Sequence, residues 1–214
     1  ASDTRVRRLV RLEGAAHLTR ALDQGRGAIL LSGHFAAIEL TGRALRLAEP
    51  RLAALYRPSD NPLVDEVLRR GRLRSVGLLI PKDSMRQMLR ALRDGLAVWY
   101  APDQSHRRKL SALVPFFGEP AMTNTALTQI VRLSGAAVVP YLPRRRPGGR
   151  GYDVQLLPPL ADFPGASPEE DALRVNRLLE THVRGAPEQY YWVHRRFKGR
   201  PSPLPDPYGP DPAA

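Results

Sequence analysis

The 214-residue chain carries 33 Lys and Arg against 21 Asp and Glu, a formal charge of +12, and almost all of the basic residues are arginine. With 43% hydrophobic content it is long enough for one sizeable core and short for two, so a single folded domain is expected rather than disorder or a repeat array. The lack of cysteine excludes disulfides, thiolate nucleophiles and Cys-ligated metals, and no apolar run reaches the ~18 residues of a membrane-spanning helix.

Residues 5–24 hold apolar positions at mixed spacing and end in an amphipathic stretch, Ala15 to Leu22, which Gly25 and Gly27 break. The short apolar run Ala28 to Leu31 reads as a buried strand, Ser32-Gly33-His34 as a tight turn, and Phe35 to Leu47 as a helix. Leu52 to Tyr56 follows as a strand, then a loop of turn formers in which Asp60 or Asn61 can cap a helix opened by Pro62 and running to Gly71. A short strand at Leu78 to Ile80, a helix at Ser84 to Arg93 and a strand at Leu96 to Ala101 come next, the last stopped by Pro102-Asp103-Gln104 and a basic loop through Lys109. The spacing then predicts a helix from Asn124 to Leu133, a strand from Ala136 to Tyr141, a turn at 144–151, an antiparallel strand from Tyr152 to Leu157 and a helix from Asp171 to Val183. Residues 201–214 read as an extended or disordered Pro-rich tail. Repeated strand–helix alternation predicts an α/β fold, one layered domain with a largely parallel mixed sheet flanked by helices. In such sheets ligands gather at the carboxyl ends of the strands, where His34 and Asp103 fall.

Gly33-His34-Phe35-Ala36-Ala37-Ile38-Glu39 sets a histidine at a strand-to-helix turn and a carboxylate five residues later. Five residues on a regular helix are about 140° apart, so the two side chains meet only if His34 lies on the irregular turn. A carboxylate on one imidazole nitrogen fixes the tautomer and leaves the other nitrogen free to take a proton from a hydroxyl. The plainer alternative is a His34 that caps the helix and a Glu39 that faces solvent. Arg72, in Gly71-Arg72-Leu73-Arg74, either binds phosphate or complements the end of its helix, and Asp103 either orients an arginine or a loop or simply forms a turn. A serine nucleophile at Ser32 is disfavoured because Gly-x-Ser-x-Gly is absent, and the five histidines show no paired spacing of the zinc kind, so no metal is expected.

Several blocks together resemble the lipid A biosynthesis acyltransferases, the lauroyl and myristoyl transferases within the broader glycerolipid acyltransferase superfamily. They are Gly33-His34-Phe35 with Glu39, Tyr56-Arg57-Pro58 with Asp60-Asn61-Pro62-Leu63, Gly71-Arg72-Leu73-Arg74-Ser75, Trp99-Tyr100-Ala101-Pro102-Asp103-Gln104, Val114-Pro115-Phe116-Phe117-Gly118, and Pro187-Glu188-Gln189-Tyr190 running into Trp192 to Lys198. The resemblance spans about residues 5–201. It implies His34 as the catalytic base, Glu39 as its orienting carboxylate, and essential roles in substrate binding for Arg72 and Asp103, with Arg57 and Gln104 near the site. It further implies direct transfer of a fatty acyl group from acyl carrier protein or acyl-CoA, with no other cofactor and no acyl-enzyme, to a hydroxyl of an anionic lipid A precursor. The setting it implies is the cytoplasmic face of the bacterial inner membrane, with acyl carrier protein and the membrane surface as partners and no nucleic acid. Members of that family usually begin with a membrane-inserting helix and a further stretch of chain, whereas 33 residues precede His34 here. The expected organisation is therefore a catalytic domain over 1–200, without that anchor, and the tail 201–214.

Two rivals remain at this level. A phospholipid, glycolipid or aminolipid acceptor would use the same chemistry. A basic nucleic-acid-binding module would explain the charge and the aromatic and basic residues interleaved from Trp192 to Lys198, but not the His34 turn, and that segment equally suits an interfacial one that sets tryptophan and arginine at a lipid head-group layer.

Overall fold

The computed structural model describes residues 2–107 and 109–209. The mixed spacing of the first residues becomes a helix, α1 (Asp3–Leu9), an edge strand, β1 (Val10–Glu13), and the amphipathic α2 (Ala15–Asp23), which buries Leu18, Ala21 and Leu22. Neither α1 nor β1 is long enough for a period to register in the sequence. Then come β2 (Ala28–Leu31), α3 (Ile38–Ala48), β3 (Leu52–Tyr56), α4 (Pro62–Leu73), β4 (Leu78–Pro81), α5 (Met85–Arg93) and β5 (Ala97–Tyr100). Asn61 caps α4 by accepting from Leu63 N and Val64 N, with Pro62 in the first turn where its missing N–H is harmless.

A hairpin, β6 (Ser111–Phe116) and β7 (Glu119–Asn124), follows where the sequence showed only loop. Pro115 and Pro120 interrupt the strand pattern and face each other across the ladder, which a two-stranded sheet tolerates because its outer edges need no donor. The chain continues through α6 (Ala126–Ser134), β8 (Ala137–Arg145), β9 (Tyr152–Leu156) and α7 (Pro168–Arg184). Strand β8 runs four residues beyond Tyr141, into the arginines that composition assigned to a turn, because they pair with β9.

Among the described residues the main sheet has seven strands in the order β1-β9-β8-β2-β5-β3-β4. All neighbouring pairs are parallel except β8 with β9. The α/β, largely parallel architecture expected from strand–helix alternation is thus the one adopted. Strand β2 lies between β8 and β5, and all four of its residues are buried. Its alternation divides the core: Ile29 and Leu31 join Val98, Met88, Ile130 and Leu179 on one face, and Ala28 and Leu30 join Leu18, Leu45 and Val139 on the other.

The hairpin is fixed to α7 by two polar contacts. Asn176 donates to Pro115 O at 2.8 Å, and Phe117 N donates to Glu180 Oε1 at 2.8 Å. Past α7 the chain turns at Pro187–Gln189 and returns over the carboxyl ends of the strands. Residues 201–209 have no regular structure, yet Tyr208 Oη accepts from Phe197 N at 3.1 Å, so this part folds back on the domain. Residues 210–214, the end of the expected tail, lie outside the described residues. Asn176→Ala leaves the Pro115 carbonyl without its partner and is expected to lower stability by about 1–3 kcal/mol, read as a shifted denaturation midpoint.

Candidate active site

Strands β2 and β5 pair in parallel with Leu31 opposite Tyr100, so the segments that leave them, 32–34 and 101–103, emerge side by side at the carboxyl edge. Ser32 N donates to Tyr100 O at 3.0 Å and carries the pairing one step past the strand. At that point Asp103 holds His34 twice. Oδ2 accepts from the His34 backbone N–H at 2.7 Å, and Oδ1 is 2.6 Å from the imidazole Nδ1. Gly33 makes room for this contact: a Cβ there would stand 3.1 Å from Asp103 Oδ2 and 3.1 Å from the Phe35 ring.

The Asp103 carboxyl is 2% exposed. Burial alone pushes its pKa up, but the hydrogen bonds and charge of His34 outweigh burial and hold it below the ordinary carboxylate value. An ionised carboxylate only accepts, so the proton between them sits on Nδ1, which selects the tautomer whose Nε2 faces away from Asp103. The imidazole is 33% exposed, stands edge-on to Trp99 at 5.7 Å between centroids, and lines a cleft of about 780 Å³. That volume suits a lipid-sized ligand. The cleft walls are largely apolar, including Leu45, Leu55, Met85, Met88 and Ile130, while its mouth carries Glu39, Arg57, Arg72 and Gln104.

The expected pairing of His34 with Glu39 is corrected by this geometry. The carboxylate on the imidazole is Asp103, and no hydrogen bond joins His34 to Glu39. The reason is local. Helix α3 begins at Ile38, three residues later than expected, and the Phe35 backbone is bridged to Tyr190 instead of being helical. His34 is thereby directed to the β5 loop, and Glu39, 64% exposed, faces the cleft mouth. There Arg72 Nε donates to Glu39 Oε1 at 3.4 Å, and the Arg72 guanidinium lies 5.5 Å from the centre of the Tyr56 ring. The helix-end role considered for Arg72 is therefore joined by a specific partner across the cleft. Arg57 and Gln104 line the same cleft, so five of the six expected site residues border it, and Asp103 lies directly behind His34.

The residues that brace Asp103 from behind have no such role legible in the sequence. Tyr190 Oη is 3.5 Å from Asp103 O, and burial, aided by the nearby Asp103 charge, raises its pKa and keeps the phenol protonated. His194 Nε2 accepts from Ser105 N at 3.0 Å, and Ser105 Oγ donates to Lys198 O at 2.8 Å. Arg196, 2% exposed, donates to Met122 O and to Thr123 Oγ1, both at 2.8 Å, tying the same segment to the hairpin. Trp192 Nε1 donates to Pro187 O at 2.7 Å. Tyr190, and His194 and Arg196 of the run that suggested a nucleic-acid surface, are thus turned inward as fasteners, while Tyr191, Trp192 and Val193 stay exposed. A run dense in Tyr, Trp, His and Arg was the one available signal, and composition cannot tell an inward-facing run from an outward-facing one.

Among the described residues no cluster of three or more His, Cys, Asp and Glu could hold a metal ion, and no helix is long and apolar enough to cross a membrane. The histidine held by a buried carboxylate at the strand ends, with an apolar cleft before it, belongs to a domain whose fold is glycerolipid-acyltransferase-like. In fold it matches the crystal structure of the 1-acyl-sn-glycerophosphate acyltransferase of Thermotoga maritima with a TM-score of 0.50, over 86% of this chain and 79% of that one, at 14% identity. The chain belongs to the bacterial lipid A biosynthesis acyltransferase family, whose model matches residues 1–199. It is 40% identical over 207 residues to the lipid A biosynthesis lauroyltransferase of Escherichia coli K12, covering 96% of this chain and 67% of that protein. It is also 40% identical over 200 residues to the palmitoleoyltransferase of the same organism, covering 93% and 65%. An acyltransferase of Haemophilus influenzae is 36% identical over 203 residues, covering 94% and 64%. The chain thus spans about two thirds of the length of these relatives.

Two histidines of the frame are held neutral. Burial is the main cause of the lowered pKa of both His182 and His194, with Arg144 adding to it for the first and Lys198 for the second. Below the ordinary value of 6.5 the unfolded chain takes up protons that the folded protein refuses, so stability falls as the pH drops through that value. The melting temperature is expected to decline from about pH 7 toward about pH 5, and His194→Gln, which keeps an acceptor for Ser105 N, should flatten that decline. A slope unchanged by the substitution would remove His194 from this account.

Proposed function

We propose that the protein transfers a fatty acyl group from a thioester, carried by acyl carrier protein or coenzyme A, to a hydroxyl of a lipid A precursor. The observation that carries this reading is the His34–Asp103 pair at the edge of the apolar cleft, in a chain of the lipid A acyltransferase family. His34 Nε2 takes the proton of the acceptor hydroxyl as its oxygen attacks the thioester carbonyl. The C–O bond forms and the C–S bond breaks through a tetrahedral intermediate, and the departing thiolate recovers the proton from the imidazolium. Asp103 fixes the tautomer throughout and stabilises the imidazolium when it forms. Transfer is direct: Ser32, the hydroxyl nearest His34 in the chain, is fully buried and donates to Gly33 O at 3.3 Å.

Arg72, held by Glu39 at the mouth, is placed to meet an anionic group of the acceptor, and Arg57 adds a second guanidinium there. The apolar walls would take the acyl chain, and the protein would act at the cytoplasmic face of the inner membrane, where thioester and lipid meet.

The test is transfer of labelled acyl groups from the carrier-protein thioester to a panel of lipid acceptors. His34→Ala and Asp103→Asn are each expected to lower kcat by about 10²–10⁴-fold with the fold intact. Wild-type rates in either variant would end the proposed base. Arg72→Ala and Glu39→Gln should impair the reaction through one shared contact, so the double variant should be no worse than the poorer single variant in kcat/KM. Additive losses would show that the two side chains act separately.

A further inference from the structure

We infer that α4 is an interfacial helix that seats the protein on an anionic lipid surface. The inference rests on the reading of the cleft as a site for a lipid acceptor and adds the element that docks it. Helix α4 contributes no buried residue to either core, and its amphipathic pattern is inverted. At 100° per residue, Leu63, Val64, Val67, Leu68 and Gly71 share one face of about 140°. The residues that touch the domain lie on the opposite side. Asp65 accepts from Tyr56 Oη and Ser59 N, and Arg72 reaches Tyr56 and Glu39. The apolar face is therefore turned to solvent, with Leu63 81% and Val67 72% exposed and Val64 and Leu68 also exposed.

Helices of globular proteins place such a face inward, and an outward one marks an interaction site. Its borders name the partner. Arg70 borders the apolar strip and Arg69 lies behind it, both guanidinium groups on Glu66, and Arg74 follows at the carboxyl end, so that with Arg72, turned to Glu39, four arginines stand against Asp65 and Glu66 in this segment. Long arginine side chains beside a shallow apolar strip suit a bilayer surface, with the aliphatic residues among acyl chains and the guanidinium groups at anionic head groups. Twelve residues make a helix of about 18 Å, too short to span a membrane and suited to lying along it. The strip is also continuous with the site. Arg72 and Ser75, at and just past the end of α4, line the cleft, and Ser75 Oγ donates to Glu39 O at 3.3 Å. Landing α4 on lipid brings the cleft mouth to the head-group layer, where a lipid acceptor presents its hydroxyl.

The test uses the full chain and vesicles of phosphatidylethanolamine with or without phosphatidylglycerol. The wild-type protein should co-sediment with the anionic vesicles in a salt-sensitive manner, and Leu63→Ser/Val67→Ser should bind them at least about tenfold more weakly. Neither residue lines the cleft, so this variant should keep its melting temperature and its rate on a detergent-dispersed acceptor. His34→Ala should lose transfer but keep vesicle binding, which separates failure of the docking helix from failure of the catalytic reading. Because the chain has no other cysteine, Val67→Cys can carry a single environment-sensitive fluorophore, whose emission should shift to the blue on anionic vesicles. Undiminished binding by the double serine variant, no vesicle binding by the wild type, or a double variant whose only change is loss of self-association would each overturn the inference. The last would assign the strip to a second copy of the chain.

Discussion

Two contacts made by one buried carboxylate organise the site. Asp103 takes both the backbone N–H and the ring Nδ1 of His34, so it fixes the path of the turn and the orientation of the imidazole at once. A carboxylate this deeply buried is costly unless its lone pairs are met, and here the contacts that meet them also set the tautomer. Gly33 permits the approach, and the parallel pairing of β2 with β5 brings the two loops together. The path of the turn and the tautomer of the imidazole thus follow from one interaction.

The next layer keeps that carboxylate in place. Tyr190 lies against the Asp103 main chain, His194 and Lys198 hold Ser105, and Arg196 ties the same segment to the hairpin. Each partner is a backbone group or a hydroxyl, which fixes position without adding a second anion beside Asp103. The buried Arg196 guanidinium lies 5.1 Å from the centre of the Phe116 ring, and burial lowers its pKa. The hairpin that carries Phe116 is itself anchored through Asn176 and Glu180, so α7 supports the His34–Asp103 pair through two intermediaries.

The central strands, with most of the helices between them, were legible in the sequence because β2, β3 and β5 are short apolar runs bounded by turn formers. The hairpin was not, since its prolines erase the alternation that identifies a strand, and α1 and β1 were too short to show a period. His34 stood out as a histidine after glycine at a strand end, and Asp103 was singled out without its role being visible. Sequence proximity favoured Glu39 as the partner of His34, but neighbouring parallel strands bring residues 69 positions apart closer than the five-residue step does. Pairing across a sheet is a tertiary fact, and no local spacing encodes it. The outward face of α4 was hidden for a related reason: its apolar pattern is ordinary, and only the position of Asp65 and Arg72 against Tyr56 reveals which side faces away.

Strand order also bears on how the chain acquires its function. The carboxyl edge of the sheet at His34 is assembled from residues near positions 34, 103 and 190, so contacts separated by 69 and by 87 residues must close before the imidazole is held and braced. Contacts of such separation carry a loop-closure cost and accumulate slowly. As the polypeptide emerges during synthesis, Asp103 follows His34 by 69 residues and the bracing Tyr190 follows by a further 87. A nascent chain that has passed β2 but not β5 would accordingly present an oily sheet whose imidazole has nothing to hold it.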